Sequence, residues 1–280
     1  VFMVPGFDKP LAEIIRESLS NAFLARKIHP QQSRVDQAIT TLDQLPAPIE
    51  TIVIGALDQW AMLEVPSTQS WLHEVLDGSD TDAWRKRWRN AWSRGDTQQL
   101  IELFRGPELE QQPASCILNV VESVRGVVSA EEQITTLRRL QPQHASDFWF
   151  NARLAALIWE TQRSFDAINY CAAALAIRQT GHLHRAMGDM LVAQGRHDEG
   201  LRHLQRAVAL NPESSGQWEC LGEALHNLGR HQESVDAFRA ALRISPESSF
   251  ALVSCGDSLR LLGQHDEAIE MLETATRLDP

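Results

Sequence analysis

Apolar residues in the C-terminal half of the chain recur every three or four positions, which is the spacing of one face of an α-helix. Two such stripes follow each other within residues 215–248. The first is Trp218, Leu221, Leu225 and Leu228, and the second is Val235, Phe238, Ala241, Leu242 and Ile244. Gly229 stands between the stripes, and Pro246 follows the second. Because proline has no amide hydrogen to continue a helix, the pattern predicts two helices joined by a turn, that is, a helical hairpin.

The hairpin pattern repeats with a period of 34 residues. The sets that recur are Gly188, Gly222 and Gly256, then Ala207, Ala241 and Ala275, then Pro212, Pro246 and Pro280. Glycine and alanine allow two helices to approach closely, and proline closes each unit. The repeats predicted are 181–214, 215–248 and 249–280, preceded by a degraded repeat over 147–180. Residues 80–146 are predicted to form further, degenerate helical hairpins.

These residues resemble the tetratricopeptide repeat family, whose 34-residue pattern is W-x2-L-G-x2-Y, then A-x3-F, then A and P. Residues 215–248 match it with Trp218, Leu221, Gly222, Phe238, Ala241 and Pro246. They depart from it with Leu225 in place of tyrosine and Ser234 in place of the first alanine. The resemblance implies a mainly α protein, a right-handed α-solenoid over 147–280, whose function is to bind other proteins.

Residues 1–79 are expected to form a small N-terminal domain, either α/β or helical. The β-branched runs at 1–4 and 51–54 predict short strands, and the apolar spacing over 10–27 and 34–45 predicts helices between them. Gly6 and Lys9 have the outline of a phosphate-binding turn. A nucleotide loop needs a second glycine and a Ser or Thr after the lysine, and these are missing.

The family resemblance also implies where a partner binds, because ligands of these repeats lie along the first helix of each hairpin. Asp189, Glu223 and Asp257 recur at 34-residue intervals on those helices and would form a row of acidic side chains. The complete set of candidate partner-binding residues is His182, Arg185, Asp189, Glu219, Glu223, His226, Asp257 and Arg260. Such a surface suits a protein or peptide partner with basic residues. The alternative is an ordinary solvated helix face.

Two other sets of residues have a structural and a functional interpretation. Trp84, Trp88 and Trp92 lie on one helical stripe among arginines, which is typical of core packing or a protein contact and less often of nucleic-acid or lipid binding. His197, His231 and His265 also recur at 34 residues. Side chains on stacked hairpins are about one helix spacing, ~10 Å, apart, which is too far for one metal ion. We therefore expect no metal site and no cofactor.

Composition narrows the choice of function. The formal net charge is −11, which argues against nucleic-acid binding through phosphate contacts. The four cysteines have no metal or disulfide spacing, which favours the cytoplasm, and no apolar run is long enough for a membrane span. The C-terminal hairpin has no polar capping helix, so we expect either a longer natural chain or a buried end, with self-association as one way to bury it.

Sequence alone therefore favours a non-enzymatic scaffold or adaptor of bacterial type, with no catalytic residue assigned. The alternative is the repeat arm of a bacterial glycosyl- or sulfotransferase, whose chemistry would lie in residues 1–79 or outside this chain.

Overall fold

A computed structural model of the chain describes residues 20–25, 28–30, 33–64 and 66–278. Within these ranges the regular structure is helical, and no strand is present. The predicted segment 1–4 and the turn at Gly6 and Lys9 lie outside the described residues. No helix of the described ranges is long and apolar enough to cross a membrane.

The helices follow one another along the chain with short connections. They are α1 (Val35–Asp43), α2 (Ala47–Leu63), α3 (Pro66–Ser79), α4 (Ala83–Arg94), α5 (Thr97–Arg105), α6 (Ala114–Ser123), α7 (Ala130–Leu140), α8 (Phe148–Gln162), α9 (Ala167–Ile177), α10 (Gly181–Ala193), α11 (His197–Leu210), α12 (Ser215–Asn227), α13 (His231–Ile244), α14 (Ser249–Leu261) and α15 (His265–Leu278). Two short 3-10 helices, Pro107–Gln111 and Gln141–His144, lie between them.

The chain divides into two compact units, and the division falls between Arg153 and Leu154, within α8. The sequence places the corresponding boundary between residues 146 and 147, and a second one between residues 79 and 80. This three-part organisation stays a prediction, and each unit is described by itself below.

The strand predicted over 51–54 is wrong, because these residues lie inside the helix α2. Ile54, Leu57 and Ala61 are buried, whereas Ile52 is 68% exposed, so the apolar face has helical spacing. A run of four β-branched residues is too short to distinguish a strand from a buried helix, and the residues that follow decide the matter. The described part of the N-terminal segment is therefore helical, and α1 and α2 both pack on α3.

The tryptophan stripe of α4 contributes to packing, as its spacing predicts. Trp84 and Trp88 are buried, and the rings of Trp92 and His73 form a T-shaped contact with 5.6 Å between ring centroids. The Trp88 indole also donates a hydrogen bond of 3.1 Å to the Ser123 hydroxyl. Gly95, with φ of 65°, ends this helix in a left-handed conformation before α5 begins.

Two of the arginines beside these tryptophans, Arg85 and Arg89, bind buried carboxylates, whereas Arg87 and Arg94 are exposed. Arg89 is only 3% exposed and forms ion pairs with Asp58 on α2 and with Asp80 in the loop before α4. Arg85 also binds Asp80, through two hydrogen bonds of 2.6 and 2.7 Å. The sequence does not reveal this buried network, because its partners are up to 31 residues apart.

Burial and charge pairing shift the pKa values of the two aspartates of the network in opposite directions. Burial alone would raise the pKa of Asp80, but hydrogen bonds from Arg85 and the charge of Arg89 lower that pKa to about 2. For Asp58 burial is the larger effect and raises its pKa, although Arg89 opposes the shift. Arg89 therefore binds two buried carboxylates from different parts of the first unit, and its removal would leave Asp58 without its counter-ion and Asp80 with Arg85 alone.

The second unit consists of stacked helical hairpins, an α-solenoid. The helix pairs α10 with α11, α12 with α13 and α14 with α15 each pack together, and consecutive hairpins pack on one another. The recurring glycines lie where the two helices of a hairpin are closest. A Cβ atom added at Gly222 would lie 2.9 Å from the Phe238 ring, and one at Gly188 would lie 2.7 Å from Leu204. These distances explain why the 34-residue period requires glycine there.

We predict that Arg89→Met lowers the free energy of unfolding by about 3–5 kcal/mol, because Asp58 would stay buried without its counter-ion and Asp80 would keep only Arg85. Urea unfolding at pH 7 measures this change. The control is Arg87→Met on the same helix, where the side chain is 55% exposed and 3.9 Å from Glu108, and where a change within about 0.5 kcal/mol is expected. Equal losses of stability in the two variants would contradict a special role for the network.

Candidate functional site

The candidate partner-binding residues lie on the first helices of three consecutive hairpins. His182, Arg185 and Asp189 lie on α10, Glu219, Glu223 and His226 on α12, and Asp257 and Arg260 on α14. α10 contacts α12, and α12 contacts α14, so the structure brings the three sets together along one row of helices. His182 and Glu223 are exposed, and the other side chains differ in burial and in pairing.

The best-defined part of the row is a cluster between α10 and α12. The guanidinium of Arg185 lies 3.6 Å from the Cys220 Sγ, and its charge acts on the half-buried Asp189 four residues later. Burial raises the pKa of Asp189 to about 6, with Arg185 opposing the shift and Glu223 adding to it. Burial also raises the pKa of Cys220, to about 11. This cluster therefore combines an uncharged thiol with two carboxylates that repel each other.

Glu219 is less available than its position in the sequence indicates. Its side chain is 7% exposed, and its Oε1 accepts a hydrogen bond of 2.6 Å from the Ser248 hydroxyl, just before α14. This bond joins α12 to the residue that caps the start of α14, so Glu219 stabilises the packing of the next hairpin. The sequence carries no signal for it, because the partner is 29 residues away.

His226 is held by a buried chain of hydroxyl groups. Its Nδ1 lies 2.8 Å from the Ser258 Oγ, which donates a hydrogen bond of 2.9 Å to the Ser254 carbonyl oxygen. Ser258 also lies 3.1 Å from Ser234, whose hydroxyl donates to the Gly222 carbonyl oxygen. Since the Ser258 proton is already donated to the Ser254 carbonyl, we assign the Nδ1 of His226 as the donor. Ser234, which replaces the alanine of the family pattern, is thus one of these linked hydroxyl groups.

Asp257 and Arg260 bind each other in an exposed ion pair of 3.1 Å on α14. Their opposite charges cancel, so the three predicted carboxylates are not equivalent. Asp189 is half-buried, Glu223 is exposed, and Asp257 is paired. The negative potential of the row is consequently concentrated between α10 and α12.

The recurring histidines begin the second helix of each hairpin. His231 is half-buried and lies against His226, with 5.4 Å between ring centroids, while His197 and His265 are exposed. The part of the chain that the structure describes contains no group of three or more His, Cys, Asp or Glu side chains suited to a metal ion.

The outer face of the C-terminal hairpin exposes Ile269, with 55% of its surface accessible. Leu201 and Val235 occupy the equivalent positions of the two preceding hairpins and are 3% and 0% exposed. Ile269 is therefore an exposed apolar residue at a position that is buried in the two preceding hairpins. Self-association through it stays a prediction.

We predict that Asp189→Asn stabilises the protein at pH 7 but not at pH 4. The Asp189 carboxyl has a pKa of about 6 in the folded state, above its unfolded value of ~3.9, so its ionisation costs folding free energy once the pH exceeds these values. We expect a gain of about 1–2 kcal/mol at pH 7, measured by urea unfolding at both pH values. Asp257→Asn removes the same charge from an exposed position and should change stability little at either pH. A gain that does not depend on pH would contradict the assignment.

Comparisons with known proteins agree with this architecture. Two family models described as tetratricopeptide repeat match residues 185–249 and 251–280. No curated protein sequence matches the chain.

Several solved structures resemble the fold, at low sequence identity. MamA from Desulfovibrio magneticus RS-1, residues 41 to the end, has a TM-score of 0.55 and 17% identity over 59% of this chain and 94% of its own. Another MamA crystal structure has a TM-score of 0.56 and 17% identity over 62% of this chain and 93% of its own. YrrB, described as a TPR protein with an unusual peptide-binding site, has a TM-score of 0.53 and 19% identity over 72% of this chain and 94% of its own. The hairpins over residues 185–249 and 251–280 are tetratricopeptide repeats.

Proposed function

We propose that this chain is a non-enzymatic scaffold that binds a basic peptide or helix of a partner protein along α10, α12 and α14. The observation that carries the proposal is the pair of carboxylates on neighbouring helices. Glu223 is exposed and close enough to Asp189 to raise its pKa. A lysine or arginine of a partner placed between them would relieve this repulsion, whereas water relieves it only in part.

The α14 end of the row supports an apolar contact with the same partner. Phe250, Val253 and Leu261 on this helix are 49%, 46% and 48% exposed. The Phe250 ring meets the buried Phe238 edge-on, with 6.3 Å between centroids, so its position is fixed by the hairpin before it. An amphipathic segment with basic residues near α10 and α12 and apolar residues near α14 would complement the row.

The comparisons support the class of function and leave the partner open. YrrB is a repeat protein with a peptide-binding site, and the fold it shares with this chain offers the same kind of elongated helix surface. Our proposal of a basic partner rests on the charges of this chain and not on those of YrrB. We also propose that the protein acts as an adaptor in the cytoplasm. No observation among the described residues favours the alternative of a transferase arm.

Selection from a random peptide library tests the proposal. Peptides selected on the wild-type protein should be enriched in Lys and Arg, and their affinity should fall as salt increases. Replacing Asp189, Glu223 and Asp257 together by their amides should weaken binding about tenfold, the effect of losing about 1.4 kcal/mol of charge–charge attraction.

The control removes three carboxylates from α15 instead, as Asp266→Asn, Glu270→Gln and Glu273→Gln. These residues are exposed and lie on the second helix of their hairpin, away from the row. Binding should be unchanged in the control. Selected peptides without excess basic residues, or equal losses in the two triple variants, would refute the proposed binding site.

A further inference from the structure

A pocket with basic side chains, in contrast to the acidic row, lies within the first of the three hairpins, between α10 and α11. It is a small solvent-connected cavity of about 250 Å³, and its lining residues are His184, Glu199, Arg202, His203 and Arg206. None of the candidate partner-binding residues lines it. Four of its five side chains are basic, although the protein as a whole has a net charge of −11.

The two histidine rings of this pocket are joined by a hydrogen bond. His184 Nδ1 lies 3.0 Å from His203 Nδ1, and His184 Nε2 lies 2.5 Å from the Gln179 Oε1. An amide oxygen only accepts hydrogen bonds, so the Nε2 of His184 carries a proton and its Nδ1 is an acceptor. The Nδ1 of His203 is then the donor, and the Nε2 of His203 is unprotonated. His203 can therefore gain a proton on Nε2 without breaking either hydrogen bond.

The arginines supply positive charge that the described residues do not neutralise. Arg202 and Arg206 lie four residues apart on α11, both are exposed, and neither forms an ion pair in the described part of the chain. Glu199, the one acid of the lining, is engaged by Arg196 through two hydrogen bonds of 2.8 and 2.6 Å. All the formal charges of the lining come from α11.

This environment lowers the pKa of both rings and so disfavours their protonation. Burial lowers the pKa of His184, and the nearby His203 and Arg206 lower it further. Burial and then Arg202 lower the pKa of His203, against the opposing effect of Glu199. An anion that entered the pocket would reverse the electrostatic part of these shifts and favour a proton on His203.

The repeat itself does not require these basic residues. Each has equivalents 34 and 68 residues later, in hairpins whose two helices also pack together. The equivalents are Trp218 and Leu252 for His184, Asp236 and Glu270 for Arg202, Ala237 and Met271 for His203, and Ala240 and Thr274 for Arg206. The later hairpins thus replace all four basic residues with apolar, acidic or neutral ones, so their presence in the first hairpin calls for another explanation.

We propose that this pocket binds a phosphate-type oxyanion, held by Arg202 and Arg206, and that His203 takes up one proton as the anion binds. The guanidinium groups match the oxygens of a tetrahedral anion, and the protonated ring adds a third donor. The natural ligand is either a phosphorylated side chain of a protein or free phosphate, and both present the same group.

Sulfate is the probe for a first experiment, because its charge does not change between pH 5.5 and 8. Titration calorimetry at constant ionic strength should show sulfate binding several-fold more tightly at pH 5.5 than at pH 8, and at most about tenfold, the limit for a shift of one pKa unit in the coupled histidine. Histidine ring NMR signals should show the pKa of His203 rising on addition of sulfate. Binding that is independent of pH, or ring signals unmoved by sulfate, would overturn the proposal.

Three variants test which residues bind sulfate and which residue makes the binding depend on pH. Arg202→Gln/Arg206→Gln should weaken sulfate binding at least about tenfold, the loss of about 1.4 kcal/mol or more of charge-assisted hydrogen bonding. Arg239→Gln/Arg243→Gln removes the same two charges at the same spacing from α13, in a cavity that also contains Asp236, and should leave binding unchanged. His203→Gln should keep the affinity seen at pH 8 and lose the increase at pH 5.5. Equal weakening by both arginine pairs would mean non-specific attraction and would overturn the site.

The source of the anion is decided by comparing inorganic phosphate with a phosphoserine peptide and its unphosphorylated form. Tighter binding of the phosphopeptide than of either control identifies a modified protein as the ligand, and equal binding of the phosphopeptide and phosphate identifies the free anion. Failure of phosphate and phosphopeptide alike to bind the wild-type protein would refute the proposal.

Discussion

The second unit depends on the close approach of the two helices in each hairpin, at a glycine that faces a large side chain. The ring of Phe238 packs against Gly222, and leucine side chains pack against Gly188 and Gly256 in the same way. A hairpin of this kind buries one face internally and leaves a second apolar face, which only the next hairpin can cover. The stacking of the solenoid follows from this constraint, and so does the row of first helices that the proposed function uses.

Polar groups inside the protein are paired across elements that are distant in the sequence. In the first unit Arg89 holds together a helix and a loop through two carboxylates. In the second unit Glu219 bonds to the residue that caps α14, and His226 bonds to Ser258 within α14. Buried polar groups are costly unless they are satisfied, so such bonds favour one register of the packed helices over the alternatives. Several candidate binding residues therefore stabilise the stack itself, and fewer of them are free to contact a partner than their spacing indicates.

The first of the three hairpins contributes one helix to the acidic row and most of the lining of the basic pocket from the other helix. Asp189 on α10 belongs to the acidic row, whereas Arg202 and His203 on α11 line the basic pocket. Two ligands of opposite charge could therefore be held by one hairpin without competing for the same residues. The short distance between a hairpin's two helices is also what makes the charges of one helix sensitive to those of the other.

The repeated hairpins could be predicted from the sequence, because a helix needs apolar residues at a spacing of three or four and a close helix contact needs glycine, and both requirements are visible in the printed order of residues. The helical state of residues 51–54 could not, since a short β-branched run is compatible with either structure until its neighbours are packed. The network of Asp58, Asp80 and Arg89, the hydroxyl chain at His226 and the basic pocket at His184 were likewise decided only by the tertiary structure. Each depends on side chains from separate helices meeting at hydrogen-bond distance, and that distance is set by packing, which no local pattern of residues records.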